Sequence, residues 1–193
     1  MSTCVCYNGS GKGKERSLNI IDLAETLGRR LTTERRTIAV AESCTGGDLS
    51  HSLSALPGAS AFFLGGIIAY HNEVKVNLLD VPSATIAQHG AVSEQTAIAM
   101  ASGCRTRFDS DIAVAITGIA GPSGGTPEKP VGLVFLAAAT RDHVRGRRLM
   151  LSGDRNAIRN DAAVAALSLV RSLLDEEPAA DRRSSLNDQD PTG

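Results

Sequence analysis

Apolar residues along the chain fall into runs typical of buried strands and spacings typical of amphipathic helices. The runs predict five strands, over residues 37–41, 61–70, 111–117, 131–139 and 145–151. The spacings predict five helices, over residues 18–31, 46–55, 72–79, 92–107 and 155–174. Ser17 and Ser93 are the expected N-caps of the first and fourth helices, and residues 83–90 are expected to be a connection.

The order of these elements predicts a three-layer α/β/α domain with a mixed sheet of about five strands. Helices separate the first three strands, as in parallel sheets. Residues 140–144 join the last two strands so tightly that these must be antiparallel. In open α/β sheets the functional site lies at the carboxyl ends of the strands, so the segments that follow the first three strands are the ones to inspect.

Length and composition indicate one domain with polar ends. We expect residues 1–16 to be a disordered leader, residues 17–175 the folded domain and residues 176–193 a disordered tail. The net charge is −1, with two Tyr, four Phe and no Trp, which argues against direct nucleic-acid binding. With no signal peptide and no run long enough to span a membrane, the expected location is cytoplasmic, with no membrane partner and four reduced cysteines.

The segment after the first strand carries a candidate nucleophile. Ser43 follows the apolar run and precedes Gly46-Gly47 and a helix, so its hydroxyl is expected near the first free N–H groups of that helix, which favour negative charge. The same pattern also suits a plain helix start, in which Ser43 and Thr45 are caps and the glycines form the turn. Cys44 is a second conceivable nucleophile, but no histidine follows in a supporting place.

The segments after the second and third strands supply possible partners. Lys75 could act as a general base toward Ser43 if burial lowers its pKa, although a solvated helical lysine has the same pattern. Tyr70 could orient Lys75 or donate to a substrate, or it could simply pack at the end of its strand. The glycine-rich loop, residues 118–125, together with Thr117 could present N–H groups to an anion, as could the guanidinium groups of Arg155 and Arg159.

Five segments together resemble the CinA C-terminal domain family, from about residue 18 to residue 174. They are residues 41–47 (AESCTGG), 66–75 (GIIAYHNEVK), 90–93 (GAVS), 117–132 (TGIAGP, GG and KPVG) and 153–155 (GDR). Members with known activity are nicotinamide-nucleotide amidases, and many members carry an additional N-terminal domain.

The resemblance implies an amidase of the pyridine nucleotide cycle. The substrate would be nicotinamide mononucleotide, and the products would be nicotinate mononucleotide and ammonia. Ser43 would be the nucleophile and Lys75 its base, with Tyr70 nearby and neither a metal nor another cofactor. N–H groups near Thr45 and Gly46, or in the glycine-rich loop, would hold the oxyanion. The nucleotide phosphate would be held by that loop (Gly118, Gly121, Gly124 and Gly125), Thr117, Arg155 and Arg159.

A second class of function stays open at this stage. Family members are also associated with competence and DNA damage, so the chain could be a non-catalytic protein-interaction module, and a homo-oligomer is compatible with either class. Ammonia release from nicotinamide mononucleotide separates the enzyme from the module.

Overall fold

The computed structural model describes residues 19–176. The predicted leader, the N-cap assigned to Ser17 and residues 177–193 of the predicted tail lie outside this range. Glu176, which the sequence assigned to the tail, is the last residue of the final helix.

Residues 19–176 form six α-helices and five strands, in an order close to the predicted one. They are α1 (Ile20–Glu34), β1 (Ile38–Glu42), α2 (Asp48–Ser54), β2 (Phe63–Ile68), α3 (Asn72–Leu79), α4 (Ser83–His89), α5 (Glu94–Phe108), β3 (Ile112–Gly118), β4 (Leu133–Ala139), β5 (Val144–Met150) and α6 (Arg155–Glu176). A single 3-10 turn, Ala59–Ala61, precedes β2.

The strands form one mixed sheet in the order β2-β1-β3-β4-β5. β1 pairs in parallel with β2 on one side and with β3 on the other. β4 is antiparallel to both β3 and β5. This confirms the predicted mixed sheet, and it places the carboxyl ends of β1, β2 and β3 at the same edge.

The two faces of the sheet carry side chains of different size. Large residues such as Ile38, Val40 and Leu136 pack against α1, α2 and α6. Alternate positions on the same strands are alanines that face α5: Ala39, Ala41, Ala113, Ala115, Ala137 and Ala139. Since alanine extends little above the sheet, α5 can lie close to it. The alternation of inward side chains along each strand therefore builds both cores.

Most element ends differ from the sequence-based prediction by one or two residues, and two differences concern helices. The first helix begins at Ile20 rather than Leu18, because Asn19 is its N-cap and its side chain accepts a hydrogen bond from the Ile21 N–H. The expected connection 83–90 is instead the helix α4. No residue of α4 is fully buried, and Ile86 is its main core contact, so its apolar periodicity was too weak to indicate a helix. Among residues 19–176, no helix is both long and apolar enough to cross a membrane.

Candidate active site

The carboxyl ends of β1 and its two parallel neighbours are joined directly by the backbone. The Ser43 N–H donates to the Ile116 carbonyl of β3 at 3.0 Å, and the Ala69 N–H donates to the Glu42 carbonyl at 2.7 Å. Ser43 is therefore fixed against β3 on one side, while the segment after β2 is fixed against β1 on the other. The segments that follow β1 and β2, two of the three that the sequence indicated for inspection, therefore meet here.

Lys75 lies beside Ser43 in the interior of the protein. Its Nζ is 3.3 Å from Ser43 Oγ, and the Lys75 side chain is only 1% exposed. Lys75 reaches this place because the chain turns after β2 and enters α3, whose N-cap is His71. The alternative of a solvated lysine is thus wrong, and the predicted pairing of Ser43 with Lys75 is the arrangement that the structure has.

Burial shifts the Lys75 amine toward its neutral form. Burial lowers the Lys75 pKa from its ordinary value, and the charge of a Cys44 thiolate would oppose this to a smaller extent. Nζ donates to the carbonyls of Ala69 at 2.7 Å and Tyr70 at 3.3 Å. A neutral amine has two N–H donors, which these carbonyls use, and its lone pair is then left for the hydroxyl proton of Ser43.

Cys44 is unsuited to the role of nucleophile. Its side chain is 6% exposed and belongs to the core formed with α1, α2 and α6. Burial raises the pKa of its thiol to about 11, so the reactive thiolate is scarce near neutral pH. Ser43 is thus the better candidate in this turn.

Glu42 is a site residue that the sequence reasoning did not single out. Its carboxylate is fully buried and accepts from the N–H groups of Gly47 at 3.0 Å, Leu49 at 3.2 Å and Ser50 at 2.7 Å, and from the Ser50 hydroxyl at 2.6 Å. The sequence signal for this role is an acidic residue just before the turn. The N-cap of α2 is Gly47, which has no side chain to bond to the helix start.

The role of Glu42 corrects two expectations about Ser43. The first N–H groups of α2 are not free, because they donate to the Glu42 carboxylate. Neither Ser43 nor Thr45 is the N-cap of α2, which is Gly47. Glu42 therefore satisfies the N–H groups at the start of α2. Any donors for an oxyanion must come from elsewhere in the turn or from the glycine-rich loop.

Tyr70 and Arg155 lie together at the rim of the site. The Tyr70 side chain is 61% exposed, so it does not pack in the core, and its hydroxyl accepts from Arg155 Nη2 at 3.4 Å. Arg155 Nη1 also donates to the Gly121 carbonyl at 2.6 Å. Lys75 is contacted by the Tyr70 backbone carbonyl, whereas the Tyr70 ring reaches toward α6 and the glycine-rich loop.

Arg159 faces the turn that carries Ser43 instead of the rim. Its Nε and Nη2 donate to the Thr45 carbonyl at 3.1 and 2.7 Å, and Nη2 also pairs with the Asp48 carboxylate at 2.8 Å. Thr45 is fully buried, and its Oγ1 has no hydrogen-bond partner among residues 19–176. Gly46 follows with φ at +62°, a conformation that glycine adopts without strain.

The glycine-rich loop begins on β3, and most of it is exposed. Thr117 is buried, and its hydroxyl donates to the Ala91 carbonyl at 2.8 Å. A side chain at Gly118 or Gly125 would collide with backbone, Leu133 O and Val131 N respectively, both 2.8 Å from the added carbon. Residues 122–128 are exposed, and Gly124 has φ at +90°, with Ile119 Cγ2, 3.9 Å from an added Cβ, the one atom in ordinary contact among residues 19–176. The loop is thus anchored at its ends and accessible at its centre.

Lys129 follows the glycine-rich loop and connects it to the end of α4 and to the segment between α4 and α5. Its Nζ donates to the carbonyls of His89 and Val92, both at 2.8 Å. The side-chain nitrogen of Lys129 is thus already bound to two backbone oxygens. Within residues 19–176, no three His, Cys, Asp or Glu side chains are grouped closely enough to hold a metal ion.

Comparison with known proteins agrees with this architecture. The family model of the CinA C-terminal domain matches residues 20–174. A CinA-like protein of Gemmatimonas aurantiaca is 51% identical over 160 residues, which are 83% of this chain and 37% of that protein. A CinA-like protein of Kosmotoga olearia is 53% identical over 138 residues, 72% of this chain and 34% of that protein. The matched region is thus about a third of the length of these relatives.

Two solved structures share the fold over nearly their whole length. The competence/damage inducible protein CihA from Agrobacterium tumefaciens has a TM-score of 0.79 at 39% identity, covering 81% of this chain and 96% of that one. A CinA superfamily protein from Escherichia coli has a TM-score of 0.77 at 32% identity, covering 80% of this chain and 90% of that one. The chain therefore belongs to the CinA C-terminal domain family.

Proposed function

We propose that this chain is an amidase that hydrolyses the carboxamide of nicotinamide mononucleotide to nicotinate mononucleotide and ammonia. The observation that carries the proposal is the buried Lys75 amine, 3.3 Å from Ser43 Oγ. A buried lysine without a carboxylate partner loses the water that stabilises its ammonium form, so the neutral amine becomes more accessible. A serine nucleophile usually requires such a base next to its hydroxyl.

The reaction is a two-step acyl transfer. Lys75, neutral before the attack, takes the hydroxyl proton as Ser43 Oγ bonds to the carboxamide carbon. The C–N bond then breaks, and the leaving group takes a proton from Lys75, directly or by way of the Tyr70 hydroxyl, and departs as ammonia, which leaves Lys75 neutral again. Water, deprotonated by Lys75, attacks the acyl-enzyme and releases the carboxylate and Ser43. No step needs an oxidant, a metal or another cofactor.

The oxyanion requires donors that the fold has not already used. Gly46 N–H donates to the Ser43 carbonyl at 3.1 Å, and the N–H groups of Gly47, Leu49 and Ser50 donate to Glu42. The N–H groups of Cys44 and Thr45 bond to no backbone carbonyl within residues 19–176. These two, beside the nucleophile, are the donors that we assign to the oxyanion.

The substrate phosphate is assigned to the rim. Arg155 supplies a cation within reach of the glycine-rich loop, whose exposed centre can offer backbone N–H groups to an anion. The Tyr70 hydroxyl bonds to Arg155 at the rim, while the Tyr70 backbone carbonyl contacts Lys75. The phosphate would therefore bind at the rim, and the carboxamide would bind at Ser43.

Ammonia release from nicotinamide mononucleotide by the purified chain tests the proposal. We expect turnover with the wild-type chain and none with Ser43→Ala, whose fold is checked by circular dichroism. Absence of turnover in the wild-type chain, at substrate concentrations up to the millimolar range typical of enzymes, would contradict the proposed activity.

The names of the solved relatives suggest the second candidate function, that of a non-catalytic module in competence or damage responses. A role of that kind leaves the placement of Lys75 against Ser43 without a purpose, because a buried lysine adds nothing to a docking surface. We therefore place the amidase first.

A further inference from the structure

The backbone around Ser43 is held from two sides by charged side chains that need not touch a substrate. We call residues 43–47 the nucleophile turn. Glu42 precedes the turn and binds the start of α2, which follows it. Arg159 reaches the middle of the turn from α6. These contacts connect three elements of the fold at the point where Ser43 is presented.

Glu42 decides which backbone donors remain near Ser43. A helix start normally offers several unpaired N–H groups. Here a fully buried carboxylate accepts from those of Gly47, Leu49 and Ser50. The next available donors are those of Cys44 and Thr45, on the side of the turn that precedes Gly46. Without the carboxylate, α2 would lose its cap, and the turn would be free to rotate.

Arg159 decides the direction of the peptide groups in the turn. Two of its nitrogens donate to the Thr45 carbonyl, and Asp48 balances its charge from the first turn of α2. This carbonyl is thereby held toward α6. A trans peptide bond places its N–H and C=O on opposite sides. The Gly46 N–H of the same peptide bond therefore points back to the Ser43 carbonyl. Arg155, by contrast, contacts the rim through Gly121 and Tyr70.

We infer that Glu42 and Arg159 are positioning residues that fix the nucleophile turn, so that Ser43 Oγ faces Lys75 and the N–H groups of Cys44 and Thr45 face the oxyanion. Arg159 is then not a phosphate ligand, and Arg155 alone of the two arginines has that role. The inference rests on the proposed function for the identity of the substrate, but not for the geometry of the turn.

The roles of the two arginines separate when substrates with and without the phosphate are compared. We expect Arg159→Met to lower kcat about 10- to 100-fold, as small misplacements of reacting groups do, to a similar extent for nicotinamide mononucleotide and nicotinamide riboside. Arg155→Met should act mainly on KM, and the rise in KM should be larger for the nucleotide than for the riboside. A loss in Arg159→Met that is confined to the nucleotide and appears in KM would overturn the inference.

Arg30 offers a matched control for Arg159. It also contacts a backbone carbonyl and an aspartate of α6, Leu174 and Asp175, but at the opposite end of that helix. Arg30→Met should therefore lose a comparable set of hydrogen bonds and keep wild-type kcat. An equal fall of kcat in Arg30→Met and Arg159→Met would show that general stability is responsible, which would overturn the positioning role.

A second readout does not depend on the proposed substrate. A fluorophosphonate forms a bond between Ser43 Oγ and phosphorus and releases fluoride, so the labelling rate reports how well the serine is presented. We expect slower labelling in Glu42→Gln and Arg159→Lys, and a smaller change in Ser50→Ala, which removes one of the four hydrogen bonds to Glu42. Arg159→Lys keeps the inference testable if Glu42→Gln does not fold.

The outcomes of the two readouts are distinct. Labelling that depends on Glu42 and Arg159, in a chain that releases no ammonia from pyridine nucleotides, would remove the proposed function and support the inference. Wild-type labelling rates in folded variants would overturn the inference, as would a wild-type chain whose Ser43 is not labelled at all.

Discussion

The nucleophile turn and the glycine-rich loop look alike in sequence and differ in the folded protein. Each follows a buried strand and contains adjacent or nearly adjacent glycines. The turn, however, is buried through Ser43, Cys44 and Thr45, and charged side chains hold its backbone on both sides. The loop is exposed over residues 122–128 and is anchored mainly at its ends.

This difference suggests a division of labour between chemistry and binding. A buried turn whose backbone is held by Glu42 and Arg159 keeps reacting atoms in one geometry and excludes water, which favours a transition state. An exposed loop can adjust to a ligand but adds little to the chemical step. Changes in the turn should therefore appear in kcat, and changes in the loop should appear in KM.

The largest expected effect is that of Ser43→Ala. Removing the nucleophile should lower turnover by at least about 10³-fold, as in other enzymes with a covalent serine, with the free energy of unfolding almost unchanged. Ammonia release together with thermal unfolding measures both quantities. Wild-type turnover in this variant would place the chemistry outside the nucleophile turn.

Lys75→Arg should be nearly as damaging, although it keeps a cationic side chain. A guanidinium is not deprotonated in the working range of pH. The fall in kcat should therefore be roughly 10²- to 10⁴-fold, the range typical of a missing general base. Lys75→Met is the matched variant, and both should lose kcat while KM changes little. If Arg restores most of the activity and the loss lies in KM, Lys75 binds an anion and is not a base.

The pH dependence should follow the lowered pKa of Lys75. The neutral amine becomes commoner as pH rises through that pKa, so kcat/KM should rise through a single ionisation and then level off. The folded pKa lies below the unfolded value of about 10.4. Unfolding therefore takes up a proton between these two values, and the free energy of unfolding should increase with pH across that interval.

Lys75→Met removes this group and serves as the control for the pH experiment. Denaturant unfolding at several pH values should show a weaker increase in the variant than in the wild-type chain. The same increase in both proteins would mean that another group is responsible and that Lys75 is an ordinary ammonium.

Alanine at Gly124 and at Gly46 compares the two regions directly. Both glycines have positive φ, at +90° and +62°, and an alanine should cost about 1 kcal/mol at either position. Despite this equal strain, Gly46→Ala should lower kcat, because the nucleophile turn must shift. Gly124→Ala should change KM by only a few-fold, given that the loop is open there. Equal effects on kcat would remove the distinction between turn and loop.

The smallest expected effect is that of Cys44→Ala. The thiol is buried, with its pKa raised to about 11, so it is a small apolar side chain in the core. We expect kcat to stay within about twofold of wild type, with a modest loss of stability from the lost packing. A variant that folds but has lost turnover would make Cys44, and not Ser43, the nucleophile to test.

The sequence by itself determined the architecture and the place of the site. Apolar runs and helical spacings predicted the five strands and all helices except α4, because each of those segments carries a recognisable run or spacing of apolar residues. α4 was missed because Ile86 is its main core contact, and a single apolar contact gives no periodicity. Parallel strands bring their carboxyl ends to one edge, so Ser43, Lys75 and the glycine-rich loop could be expected there together.

Only the tertiary structure decided what each polar side chain does at that edge. Glu42 is a single acid in the sequence, and its role depends on three N–H groups that α2 brings to it. Arg155 and Arg159 are one turn apart on one helix, yet one contacts the rim and the other the nucleophile turn. Burial and hydrogen-bond partners depend on elements distant in the chain, and local periodicity carries no record of them. The lowered pKa of Lys75 has the same origin, because water around its amine is excluded only when α3 packs against α5 and brings Lys75 next to Ser43.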